Sequence, residues 1–151
     1  MDMDKQQFDS ITKEIFLAYG FKKRRDFYNL VLDEITITCR LYSWNLVRSF
    51  NYWFSLNSLY DNSIPYEKRY GMLVAVKMEH TPAAQGYHAS EIKYEDYSEE
   101  EYRKMLTYML HTYFDPYKTD AIGYIKENHV YLTLRAETEA ALGIERKHSK
   151  K

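Results

Sequence analysis

Histidines and carboxylates offer the first chemistry in this chain. His80 and His88 flank a loop at residues 81–86, with Glu79 and Glu91 close by in sequence. Two imidazoles and a carboxylate that converge can hold zinc or another divalent ion. The spacing here matches no metal-ligand signature, so no metal site is assigned. His111 and His129 stand alone and read as structural or solvated residues. The single cysteine, Cys39, falls on the apolar phase of a strand and reads as a small buried hydrophobe, not a reactive thiol. There is no Gly-x-Ser-x-Gly elbow, and the 5 glycines form neither a Walker loop nor a dinucleotide fingerprint. Catalytic residues and cofactors are therefore left at none. The carboxylates of Glu95-Asp96 and Glu99-Glu100-Glu101 crowd a helix N-terminus, where the dipole favours them.

Cations and aromatics make a second constellation. Lys22, Lys23, Arg24 and Arg25 precede Phe27 and Tyr28, while Arg40, Tyr42, Trp44, Arg48 and Trp53 lie on or beside strands. Aromatic platforms flanked by cations hold the bases of single strands. The net charge of −1 supplies no global attraction for nucleic acid, and no nucleic-acid motif is present. Trp, Tyr and Arg are also the residue types enriched where proteins grip one another. Arg40, Tyr42, Trp44, Arg48 and Trp53 are accordingly the candidate contact surface, for an unidentified protein partner or for self-association.

The elements that must position these residues show in the hydropathy pattern. Ile35, Ile37, Cys39 and Leu41 alternate with Thr36, Thr38, Arg40 and Tyr42; Phe50, Tyr52, Phe54 and Leu56 alternate with Asn51, Trp53, Ser55 and Asn57. A period of two marks strands with one buried face. The other face, bearing Arg40, Tyr42 and Trp53, is either an exposed binding surface or covered by a second layer drawn from residues 64–97. A strand at 27–31 turns through Asp33-Glu34 into the strand at 35–42, a turn without glycine. A longer connection at 43–49 leads to a third strand at 50–60, and 71–79 makes a fourth; residues 87–94 are either a short edge strand or a loop. An antiparallel meander is the simplest layout.

Helices bracket the sheet. Asp4 with Gln7 resembles a capping box, Phe8, Ile11, Ile15, Ala18 and Tyr19 share a helical face, and Gly20 with Phe21 closes a helix at 4–19. Ser98 with Glu101 opens a second, with Tyr102, Met105, Leu106, Met109, Leu110 and Tyr113 as its apolar stripe; Asp115-Pro116 is expected to stop it. A shorter helix is expected at 119–128 and a last one at 130–142, ended by Gly143 and Ile144, although 130–134 also suits a strand. The fold class is α+β: an antiparallel sheet of four to five strands with an N-terminal helix and C-terminal helices packed largely on one face. Residues 1–144 form one domain and 145–151 a basic tail.

Composition sets the outer bounds. A chain of 151 residues suits one domain able to hold a core without disulfide or metal. No run approaches the roughly 18 apolar residues that span a bilayer, and the acidic, polar start is unlike a secretory leader, so a cytoplasmic, non-membrane protein is expected. Its 17% aromatic content, with 16 tyrosines, is suited to a core edge, a cleft or an interface.

The order of elements carries a resemblance. An opening helix exits through Ala18-Tyr19-Gly20-Phe21-Lys22-Lys23 into a strand bearing Phe27-Tyr28; strands end near Ser43 and restart at Phe50, and Ala141-Leu142-Gly143-Ile144 closes the last helix. In this the chain resembles the bacterial domain-of-unknown-function family numbered 4304, over most of its length. Arg24-Arg25-Asp26 stands where that family has a glycine before the first strand. The resemblance implies the fold order and transfers no catalytic residue. The functional expectation is a non-enzymatic bacterial cytoplasmic binding protein acting through protein–protein contact, immunity-like in its most concrete form. The alternative is a small-molecule site or enzyme between the sheet and the C-terminal helices, using His80, His88 and nearby carboxylates.

Overall fold

The structure, a computed structural model, describes residues 3–44, 47–61, 63–68, 72–74, 92–127, 133–134 and 136–144. Its first helix begins where its caps direct. The Asp4 carboxylate accepts the Gln7 amide at 2.8 Å, and the Gln7 side-chain oxygen accepts the Asp4 amide at 2.9 Å. This closed capping box opens α1 (Lys5–Tyr19). Gly20 ends the helix at a φ of 127°, a conformation that a β-carbon would strain. The Phe21 amide then donates to Phe16 O at 3.0 Å, and the two rings pack 5.0 Å apart.

Among the described residues, six antiparallel strands follow one another across the sheet in chain order. They are β1 (Lys22–Arg24), β2 (Phe27–Val31), β3 (Ile35–Trp44), β4 (Val47–Leu56), β5 (Met72–Val74) and β6 (Thr133–Leu134). The α+β class and the meander hold, and β1 and β6 extend the expected sheet by one short strand at each edge. β1, three cations, fell below the reach of the hydropathy pattern, whereas β6 lies within the strand alternative at 130–134. Thr133–Leu134 takes the strand alternative, and α3 (Ala136–Leu142) starts after it, shorter than the expected helix. Gly143, at a φ of 71°, and the Ile144 amide bonding Glu139 O at 2.9 Å complete the expected cap.

The β2–β3 turn does without glycine because β4 holds it. Among the described non-glycine residues only Arg25 has a positive φ, so Asp33 and Glu34 do not adopt the usual mirror-image hairpin turn. Instead Asn57, just past β4, donates from Nδ2 to Leu32 O at 2.8 Å and Asp33 O at 3.3 Å, while its amide donates to Glu34 O at 2.9 Å. Thr36 Oγ1 donates to Asn57 Oδ1 at 2.6 Å and completes the staple.

Two sequence expectations need correction. Most of the connection expected at 43–49 is instead ladder, since Ser43 pairs with Arg48 and Trp44 with Val47, while 45 and 46 lie outside the described residues. Polar residues there imitate a loop, yet a ladder is built from backbone groups and one wet face suffices. The third strand also ends earlier, at Leu56, with a 3₁₀ turn at Asn57–Leu59. Of the expected fourth strand, residues 72–74 are described, and 71 and 75–79 lie outside the described residues. Ile92, from the ambiguous 87–94 segment, makes an isolated bridge to Arg48 with bonds of 2.7 and 2.8 Å; 87–91 lie outside the described residues.

The second correction concerns α2 (Glu99–Glu127), which runs through Pro116 and breaks at Asp120 instead. Proline in a helix costs about 3 kcal/mol. Beyond it and before the break, Tyr117 is buried, and a large side chain buried contributes roughly 1.5–3 kcal/mol. Packing therefore carries the helix past the proline. At Asp120 the carboxylate accepts the Gly123 amide at 3.1 Å and caps the last turns. A β-carbon at Gly123 would lie 2.1 Å from that carboxylate, so glycine is what lets it close. The N-terminus of α2 is capped as expected, by the reciprocal pair of Ser98 and Glu101.

Strand register sorts the sheet into two faces. Tyr28, Leu30, Ile35, Ile37, Cys39, Phe50, Tyr52, Phe54 and Leu56 share one face and are all buried. Against them lie Phe8, Ile11 and Phe16 of α1 and Tyr102, Leu106 and Phe114 of α2, in one aromatic-rich core. Phe16 meets Tyr28 at 4.5 Å and Phe50 at 5.6 Å, and Phe114 meets Tyr52 at 4.7 Å. The phenol of Tyr102 is wholly buried and satisfied by Thr12 Oγ1 at 2.7 Å. The opposite face carries Asn29, Thr36, Thr38, Trp53 and Ser55, and these are buried as well. Thr38 Oγ1 donates to Asn29 Oδ1 at 2.8 Å there, and the turn Tyr66–Lys68 sits against β3.

Candidate functional site

The ladder builds a cation–aromatic row across the first three strands. Arg24 pairs with Phe27, and Phe27 pairs with Arg40, so the three share one face in a line across β1, β2 and β3. Tyr42 lies two residues beyond Arg40 on the same face. The Arg40 guanidinium sits 5.2 Å from the Phe27 ring centre and 4.6 Å from that of Tyr42. Stacking uses the faces of a guanidinium and leaves its N–H groups, which lie in the plane, directed outward. Among the described residues no carboxylate pairs with Arg40. Tyr42 is 36% exposed, so the end of the row opens to solvent.

Edge strand β1 adds to the positive potential. Lys22, Lys23 and Arg24 are all exposed. Arg25 takes the left-handed φ of 56° in the β1–β2 turn, at the point where a glycine was expected on the strength of the resemblance. The Lys23 ammonium donates to Arg25 O and braces that turn. Lys22, opposite Asn29, shares the face of Arg24 and Arg40.

The five residues singled out from sequence do not form one surface. Arg40 and Tyr42 meet. Trp53 reaches them through Phe27, edge to ring at 6.0 Å, but is only 6% exposed. The part of the face around Trp53 is thus buried and is not an exposed surface. Arg48 belongs to the helix-side face, is 7% exposed, and lies over Tyr94 at 5.2 Å. Trp44 ends β3, paired with Val47; its side chain lies outside the described residues. Phe27, the ring that orders Arg40, stands beside the cations in sequence, and the register of β2 on β3 is what brings it onto Arg40.

A scan against protein-family models finds no match. Searches of the curated proteins and of the solved structures find none either. The chemistry of the site is thus read from its own residues.

A second polar cluster joins the two long helices. The Tyr19 hydroxyl donates to Asp115 Oδ1 at 2.6 Å, and His111 Nδ1 lies 2.9 Å from Asp115 Oδ2. Lys118 Nζ stands 3.6 Å over the Tyr19 ring and donates to Tyr19 O at 3.3 Å. Burial works against the Asp115 carboxylate, yet the bonds from Tyr19 and His111 and the charge of Lys118 hold it below its ordinary range. Burial and Asp115 together push the Tyr19 phenol well up. The signal for this cluster was the i, i+4 spacing of His111 and Asp115, which a search for isolated histidines passes over.

Other sequence candidates carry less. Among the described residues no group of three or more His, Cys, Asp or Glu could hold a metal ion; His80, His88, Glu79 and Glu91 lie outside the described residues. Cys39 is fully buried, and burial pushes its thiol up, away from the reactive thiolate. No helix of the described residues is long and apolar enough to cross a membrane.

Proposed function

We propose that this is a non-enzymatic binding protein that grips a protein partner through the row of Arg24, Phe27, Arg40 and Tyr42. The observation that carries the reading is the Arg40 guanidinium, held between two rings at the open end of a cationic row. Such a group is pre-ordered to receive a carboxylate through two parallel bonds, and less side-chain entropy is lost on binding than for a free arginine. The partner is therefore an acidic segment of another protein, and immunity-like inhibition is one concrete form. A bacterial, cytoplasmic setting belongs to the same proposal; the resemblance to the family numbered 4304 and the lone buried thiol support it. A small-molecule site remains the second reading, and the cleft described below favours it.

The test compares the parent protein with Arg40→Gln and Tyr42→Ser in affinity capture from the native lysate. The variants avoid Trp53, whose removal would disturb the buried face. A charge-assisted bond contributes about 1.5–3 kcal/mol, so Arg40→Gln is expected to weaken the captured complex about 10- to 100-fold while the melting temperature holds. A partner retained by both variants at full affinity would overturn the proposal. Binding of a single-stranded oligonucleotide at 0.15 M salt, lost in Arg40→Gln, would transfer the row to nucleic acid instead. Sedimentation of the free protein distinguishes a second copy from a different partner.

A further inference from the structure

A cavity of about 260 Å³ lies between the end of α1 and the middle of α2. Its floor is apolar, from Ile15, Ala18 and Leu110, and its rim is Tyr19, His111 and Lys118. We propose that this cleft binds a short aliphatic monocarboxylate, with the chain on the floor and the carboxylate on Lys118.

Three observations lead there. First, the cavity is smaller than the roughly 300–1,000 Å³ of drug-sized sites, which limits the ligand to a few carbons beyond its head group. Second, Lys118 is pinned at the mouth by the Tyr19 ring and carbonyl. A lysine normally roams its rotamers and loses that freedom when it binds; here much of that ordering is already in place. Third, Asp115, the acid within the cluster, is engaged by Tyr19 and His111, so its oxygens face donors of the protein itself. No described carboxylate lies within ion-pair distance of Lys118, and its ammonium retains a proton for a ligand. His111, edge-on to Tyr19 at 5.1 Å, walls the cleft. The proton left on the ordered Lys118 ammonium suits an anionic head group, and the floor suits an alkyl tail better than a bare inorganic ion.

The full chain, labelled with nitrogen-15, is titrated with sodium hexanoate and with hexanamide, its uncharged counterpart. Saturable shifts are expected at the amides of Ala18, Thr107 and His111, with hexanoate bound about ten-fold more tightly than hexanamide. Lys118→Gln is expected to remove that preference and leave hexanamide unchanged. Ala18→Leu, which fills the floor, is expected to abolish both, and Arg40→Gln to change neither. No saturable shift below about 10 mM, equal affinity for the two probes, or a preference that survives Lys118→Gln would each overturn the proposal. Because Lys118 is exposed, retention of the remaining spectrum reports directly that its variant is folded.

Discussion

The two faces of the sheet are both buried along much of their length, and by opposite means. The helix-side face is closed by large rings, with Phe16, Phe54 and Phe114 wholly withdrawn from water. The other face is closed around hydroxyls and amides that bond one another, Thr38 with Asn29 and Thr36 with Asn57. Apolar burial gains in proportion to area and has no direction, so the first face supplies stability. Hydrogen bonds between buried groups contribute little net but are expensive to leave unmade, so the second face supplies register. Its far end, at Arg40 and Tyr42, is open, and there the chemistry is suited to a partner.

This division can be broken most forcefully with alkali. Burial raises the phenols of Tyr102 and Tyr117 and pushes that of Tyr28 up to about 12. A raised folded-state value means that stability is fully present below the unfolded value, near pH 10, and lost as pH rises beyond it. Each such phenol removes about 1.4 kcal/mol per pH unit in that window. The protein is expected to unfold cooperatively between about pH 10 and 12, with the phenols of Tyr28, Tyr102 and Tyr117 ionising only as circular dichroism is lost. Ionisation of Tyr28, Tyr102 or Tyr117 near pH 10 without unfolding, followed ring by ring by NMR, would show that the helix-side face is looser than described.

Smaller effects follow by substitution. Phe54→Ala, on the helix side, is expected to lower the unfolding free energy by about 3–5 kcal/mol in urea melts. Asn57→Ala strands Thr36 Oγ1 and two turn carbonyls and is expected to cost about 1–3 kcal/mol. Its distinguishing sign is faster amide exchange confined to residues 31–36, since a staple, unlike a core residue, acts locally. Arg40→Gln is expected to cost less than about 1 kcal/mol, within the range of exposed cation–ring pairs. If Arg40→Gln destabilised as much as Phe54→Ala, the open end of the second face would be structural.

What the sequence showed depended on how local the cause was. The caps of α1 at Asp4, Gln7 and Gly20 involve neighbours within one turn and were legible. So was the alternation of β3 and β4, because one face of each is uniformly apolar. The ladder through Ser43 and Arg48 was not, because its signal is backbone pairing with no side-chain pattern. Pro116 misled for the opposite reason: its local cost is real but is offset by packing of Tyr117, which no local rule contains. The site divided in the same way. Arg40 and Tyr42 were found as types on a strand phase, whereas placing Phe27 on Arg40 needed the register between strands. Arg48 was grouped with them although its even position in β4 turns it to the helices.

The bond between Thr12 and Tyr102 joins residues 90 positions apart, and this has a consequence during synthesis. Chains grow at about 5–20 residues per second, so α1 waits roughly 5–20 s after its own synthesis for its helical partner. Its interim cover is nearer in the chain: the rings of Tyr28 and Phe50, against which Phe16 rests. The β2–β3–β4 meander is thus the nursery of the first helix, shielding Phe16 until α2 arrives to cover Phe8 at 4.9 Å through Tyr102. A sheet ordered as the chain is ordered can form strand by strand as it emerges.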